Sequence, residues 1–276
     1  MKYAVWNLLL FPIMALCMTA CSSDDSEPVS TNNTISAPMV NGKRLVKIKY
    51  GDTYTSLEYN SQGQVSKVKY HSKDGTTRED SYWYEDRRVI WSPQECVFNL
   101  ANGHVEENNY TVLPSYESSH TVDIKEKYTY DYQGYLIEAT RPYDFTEDHP
   151  IERKYTYSWN DDNIISVTES ESNDGLVLFE HSIKYTSIEN NIPLFFTYFY
   201  SNNIFLEWQG YFGKRCKNLP ERITITNHTM EPSWDGYSIT YTYNYITEEV
   251  LITEMEVEST TNKGTSSKDA YELEWW

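Results

Sequence analysis

The chain has 276 residues, with 23 Lys and Arg against 41 Asp and Glu, for a net charge of −18. That imbalance repels nucleic-acid phosphates and anionic membrane surfaces, and it excludes nucleic acid as a main partner. Leu, Ile, Val and Phe make up only about a fifth of the chain, near the range of disordered proteins, but 25 Tyr and 8 Trp offer a core of amphipathic aromatics that favour strands.

Residues 1–20 read as an export signal: Lys2, an apolar run from Leu8 to Met18, then small residues. The run falls short of the ~20 apolar residues that a permanent span requires. Met18-Thr19-Ala20-Cys21 resembles a bacterial lipobox, with Met18 standing where the motif usually carries Leu. The resemblance implies that Cys21 is lipidated and that attached acyl chains (palmitate among them) bind the protein to a membrane. Ser22-Ser23-Asp24-Asp25-Ser26-Glu27 resembles the signal that sends Bacteroidota lipoproteins to the cell surface, which implies a lipid-anchored, surface-exposed place on the outer membrane. Residues 21–40, rich in Ser, Thr, Asn and Pro, form a flexible linker.

From residue 41 to 276 the pattern is that of one antiparallel β domain. Val46, Ile48 and Tyr50 alternate with Lys47 and Lys49, and Thr55, Leu57 and Tyr59 lead into the turn Asn60-Ser61-Gln62-Gly63. The clearest unit runs from Lys127 to Glu138. Tyr128 and Tyr130 point to one face of a strand and Thr129 and Asp131 to the other, because side chains alternate at period two. Asp131 to Gly134 supplies a tight turn, and Leu136 resumes the apolar face on the return strand. Imperfect copies follow, with Tyr130, Tyr157 and Tyr185 as the matching positions. Late strands carry Ile223 and Ile225, then Ile239, Tyr241, Tyr243 and Tyr245. This regularity predicts an all-β fold, a long meander of hairpins.

One segment breaks the alternation. Ile192 to Phe212 is apolar on both faces, and it is expected to plug or cover the sheet, as a doubly buried strand pair or as a short helix near 194–212. A loop bounded by Gly213 and Pro220 follows it.

Tyr59 to Val65 and Tyr130 to Leu136 resemble the tyrosine–aspartate (YD) hairpin repeats of bacterial surface proteins. Together with the Gly213-Lys214 and Asn218-Leu219-Pro220 loop, residues 41–276 resemble a family of Bacteroidota lipoproteins of unknown function, described as having a porin-like fold. The resemblance implies a curved, barrel-like antiparallel sheet and no particular activity. The face opposite the tyrosines carries Lys47, Lys49, Asp131, Glu169 and Glu171, which argues against strands that cross a bilayer.

The chemistry-bearing residues form no recognisable site. His71, His104, His120, His149, His181 and His228 are scattered, with no pair at metal-ligand spacing. Asp144 to Asp148 and Asp161-Asp162 lack the alternation of a calcium loop and are assigned to turns and surface. No nucleophile elbow, zincin motif or phosphate loop is present, so no catalytic residue, metal or cofactor is expected. Cys96 and Cys216 are the pair available to an exported protein for a disulfide, with two separate thiols as the alternative. Trp83, Trp91, Trp159, Trp208 and Trp234 lie at or near predicted hairpins or the covering segment, where exposed rings would form a sugar-stacking platform. Two readings follow. One is a monomeric, non-catalytic surface lipoprotein offering a β-platform to a protein partner or to the envelope; the other is a glycan-binding lipoprotein. Buried tryptophans favour the first, and coplanar exposed ones the second.

Overall fold

A computed structural model of the chain describes residues 35–92, 95–112, 121–144, 151–193, 203–229 and 237–276. The first eight strands are β1 (Leu45–Tyr50), β2 (Thr53–Tyr59), β3 (Val65–His71), β4 (Thr77–Glu85), β5 (Arg88–Ser92), β6 (Cys96–Ala101), β7 (His104–Val112) and β8 (Val122–Tyr130). Then come β9 (Leu136–Asp144), β10 (Ile151–Asn160), β11 (Asn163–Glu171) and β12 (Val177–Glu189). A helix, α1 (Ile204–Gln209), precedes β13 (Asn218–Asn227), β14 (Ser238–Glu248), β15 (Leu251–Thr261) and β16 (Ser266–Trp275). Each strand pairs with its sequence neighbours, and β1 pairs with β16, so the sheet closes into a sixteen-stranded antiparallel barrel. The expected all-β meander is thus present, and its curvature runs to full closure. All the strands lie between Leu45 and Trp275, so the barrel is complete without the first forty residues; its packing reaches back to Ala37, which is buried and donates its N–H to the Gly63 carbonyl.

Odd and even strands give the barrel two distinct ends. Even strands finish at the end that holds the turns at Asn60, Asp86, Asn102, Asp131, Asp161 and Glu249, the segment between β12 and β13, and the C-terminus. This is the closed end. The predicted turns form there as local chemistry requires: Asp131 Oδ1 accepts the N–H groups of Gln133 and Tyr135, and Asn60 Oδ1 those of Gln62 and Gln64. Asp161 and Asp162 both adopt positive φ, 49° and 61°, as a two-residue hairpin loop demands; they are turn residues.

The tyrosine pattern has a specific structural cause. Near the closed end the register slips by one residue between Glu58 and Tyr59, Thr129 and Tyr130, Ser158 and Trp159, and Lys184 and Tyr185. A bulge of this kind removes a backbone group from the ladder, and a buried carbonyl without a donor costs ~1–3 kcal/mol. An aromatic donor on the next even strand meets that carbonyl. Tyr84 donates to the carbonyl of Val65 at 2.6 Å, Tyr130 to Val105 at 2.6 Å, and Trp159 to Leu136 at 2.8 Å. Tyr185 donates to Ile164 at 2.7 Å, Tyr245 to Pro220 at 2.9 Å, Trp275 to Ile252 at 2.7 Å, and Tyr59 to Leu45. The exception is consistent: β4 and β5 pair without a slip, and Leu100 on β6 takes the place of the aromatic donor. The structural equivalents of Tyr130 are therefore Trp159 and Tyr185. Tyr157, the residue expected there, matches Tyr128 instead, and both are buried. Tyr130→Phe, which keeps the ring and removes the donor, is expected to cost about 1–3 kcal/mol in chemical denaturation. An unchanged midpoint would show that water replaces the hydroxyl.

Candidate functional site

The interior of the barrel is filled from the closed end. Asn203 caps α1 by accepting the Leu206 N–H, and Gly210 ends it at φ 91°. Phe205, Leu206, Trp208, Tyr211 and Phe212 are buried, with Phe212 edge-on to Phe98 and Tyr128. The expected covering element is thus a helix, Ile204–Gln209, and it plugs the barrel from inside; residues 194–202 lie outside the described set. Side-chain amides tie the plug to the wall. Gln209 accepts the Val65 N–H at 2.9 Å, Gln64 donates to the Tyr211 hydroxyl at 2.6 Å, and Asn203 exchanges hydrogen bonds with Tyr82. The backbone N–H of Lys214 donates to Gly134 at 2.9 Å, so the Gly213 loop is fastened onto the β8–β9 turn.

Beyond the plug the inner wall becomes charged. Glu126, almost fully buried, accepts from Asn108 at 3.1 Å, Tyr110 at 3.2 Å and Tyr128 at 2.6 Å. The buried Arg141 lies 4.8 Å over the Tyr155 ring, and its Nε and Nη2 meet no acceptor. Arg153 pairs with the buried Glu169. On the other side Asp80, with no exposed surface, holds Arg78 at 3.2 Å. Burial raises the carboxyls of Asp80 and Glu169 above their ordinary range. It also lowers His181 from 6.5 to about 4.

The His181 shift has a definite consequence for stability. The folded protein keeps the ring neutral, while the unfolded chain takes up a proton below pH 6.5. Its contribution is therefore complete above pH 6.5 and is lost as the pH falls towards about 4. Over the carboxylate range Asp80 and Glu169 act in the opposite sense. His181→Gln should remove up to about 3 kcal/mol of this acid loss. A melting temperature that falls as steeply in the variant as in the parent would assign the loss to other groups.

The predicted site residues do not converge. Trp91 is buried against Tyr82 and Trp208 is buried on α1; Trp159 is half-buried and spends its N–H on Leu136. Trp83 points outward from β4 with 52 % of its surface exposed, while Trp234 and Cys21 lie outside the described residues. Of these candidate tryptophans, the four that are described form no shared platform, because alternation and burial turn all but Trp83 inward. Nor are Cys96 and Cys216 bonded to each other. Both are buried thiols, Cys96 on β6 and Cys216 within 3.3 Å of the Tyr185 hydroxyl on β12, six strands farther round the barrel. Among the described residues no three His, Cys, Asp or Glu side chains gather to hold a metal. A cleft of about 320 Å³ at the closed end is lined by Asp162, Glu189, Asn190, Lys214, Arg215, Cys216 and Lys217. The loop is legible in the sequence and the cleft is not, since Asp162 reaches it from the β10–β11 turn and Glu189 from the end of β12.

No protein-family model matches the chain, and no curated protein matches it. Solved structures do. A porin-like protein from Bacteroides uniformis superposes with a TM-score of 0.60 at 12% identity, over 85% of this chain and 97% of that one. A porin-like protein from Bacteroides vulgatus gives 0.55 at 16% identity, over 84% and 98%. At these identities the likeness concerns the fold: the chain adopts the barrel of the porin-like proteins of Bacteroides.

Proposed function

We propose that this protein is a non-catalytic lipoprotein, anchored through Cys21 on the outer membrane, whose barrel serves as a rigid platform for a protein partner or for the envelope. The observation that carries this reading is the plug. Its amides and the aromatic donors are spent on holding the fold, so the interior is organised for rigidity. The cross-strand ion pairs Lys47–Glu274, Lys69–Glu58, Lys125–Glu107 and Lys154–Glu138 on the wall favour a barrel that stands in water over one that spans lipid. Fractionation of cells making Cys21→Ala tests the anchor, since the variant should leave the membrane fraction; persistence there would overturn it.

Glycan binding is the second reading, and the exposed Trp83 is the observation that favours it. On a glycan array, reproducible binding to one polysaccharide class that Trp83→Ala abolishes would put this reading first. A clean negative on folded protein would leave the platform.

A further inference from the structure

Exposed apolar residues gather at the closed end of the barrel. Tyr132, Val250 and Trp276 occupy closed-end turns and the C-terminus, with Tyr132 94% and Trp276 89% exposed. Trp83, Ile137, Ile165 and Ile246 stand on the outer wall, each exposed and each within three residues of a closed-end turn. They sit on β4, β9, β11 and β14, so they are spread around the rim. Two of them, Ile137 and Ile165, are the extra residues of the bulges, which turns them outward. At the other end only Tyr54 and Leu176 are large, apolar and exposed among the described residues, and the turns there read Gly51-Asp52, Lys73-Asp74-Gly75 and Asn262-Lys263-Gly264.

Scattered surface apolar residues need no explanation, but seven gathered around one rim do. Tyr and Trp at the boundary between an apolar band and water are characteristic of a bilayer interface. Lys43, Arg44, Arg87, Arg88, Lys214 and Lys217 stand at this end among a larger number of carboxylates, so the surface it approaches is a neutral rather than an anionic one. The chain also enters there: the Ile35 side chain lies against Gly103, and Ala37 is bonded to Gly63. Ile35 lies fourteen positions after Cys21, a reach of at most about 50 Å.

We infer that the closed end of the barrel docks on a lipid bilayer, with Tyr132, Val250 and Trp276 entering the interfacial layer and Trp83, Ile137, Ile165 and Ile246 facing the headgroups. The opposite end of the barrel then points away from the membrane. The direction of approach rests on the Cys21 anchor proposed above, whereas the apolar rim stands on the structure.

The test uses residues 22–276, which contain the whole barrel and lack the lipid, sedimented with phosphatidylcholine vesicles. The parent should partition onto the vesicles. Tyr132→Ser/Val250→Ser/Trp276→Ser should weaken partitioning about tenfold or more, while Tyr54→Ser/Leu176→Ser changes it less than twofold; thermal unfolding of each variant confirms the fold. A folded parent that ignores vesicles, or a rim variant that partitions like the parent, would overturn the inference. So would concentration-dependent self-association that the rim substitutions abolish, which would assign the ring to a second copy of the chain. Because no lipid is attached, failure here leaves the Cys21→Ala fractionation result standing on its own.

Discussion

Gly213→Ala is expected to cost about 3 kcal/mol or more, because two penalties of ~1–3 kcal/mol each combine at one backbone position. Gly213 has φ 86°, and a Cβ there would lie 2.5 Å from the Gly134 carbonyl oxygen and 2.8 Å from Cε1 of Tyr130. Neither neighbour can yield cheaply. The Gly134 carbonyl already accepts the Lys214 N–H, and the Tyr130 ring is held by its bond to Val105. The loop that seals the barrel would therefore lift from the β8–β9 turn and disturb the cleft beside it. Gly264→Ala is the control: its φ is 84°, but a Cβ there meets open space, so it should cost only ~1 kcal/mol. Equal denaturation midpoints for the two variants would refute steric closure at Gly213.

Glu126→Leu is expected to lower stability by about 3–5 kcal/mol, the usual cost of removing one partner from a buried charge pair. The substitution removes one of the two carboxylates, Glu126 and Glu169, that offset the charge of Arg141, and it deprives Asn108, Tyr110 and Tyr128 of their acceptor. Arg141→Met should cost less, since Nε and Nη2 have no acceptor to lose and Glu126 keeps its three donors. The double variant should fall short of the sum of the singles, because the second change removes the charge that the first one stranded. Strictly additive costs in urea denaturation would mean that Glu126 and Arg141 do not interact.

The candidate residues were legible in proportion to how local their environment is. The turns at Asn60, Asp131 and Asp161 are set by side chains bonding to backbone within four residues, and they form as predicted. Tyr130 was visible as a repeat, but its role was not, since its partner Val105 lies 25 residues away on another strand. The same distance hid the fates of Cys96 and Cys216, whose separation is set by how many strands stand between them. Trp91 and Trp208 look like ligand platforms in the sequence, because a tryptophan's type is read there and its burial is not.

By itself, then, the sequence determined the all-β class, the hairpin meander and the positions of the local turns, because period-two alternation and turn chemistry act within a few residues; Glu169, which alternation places on the face opposite the tyrosines, lies instead on the inner wall against Arg153. Tertiary structure alone decided that the sheet closes through β1 and β16, that Ile204–Gln209 is helical and lies inside, and that bulges turn Ile137 and Ile165 outward at one end. Those outcomes depend on the summed twist and register of sixteen strands and on the space they enclose, which no short window of the chain contains.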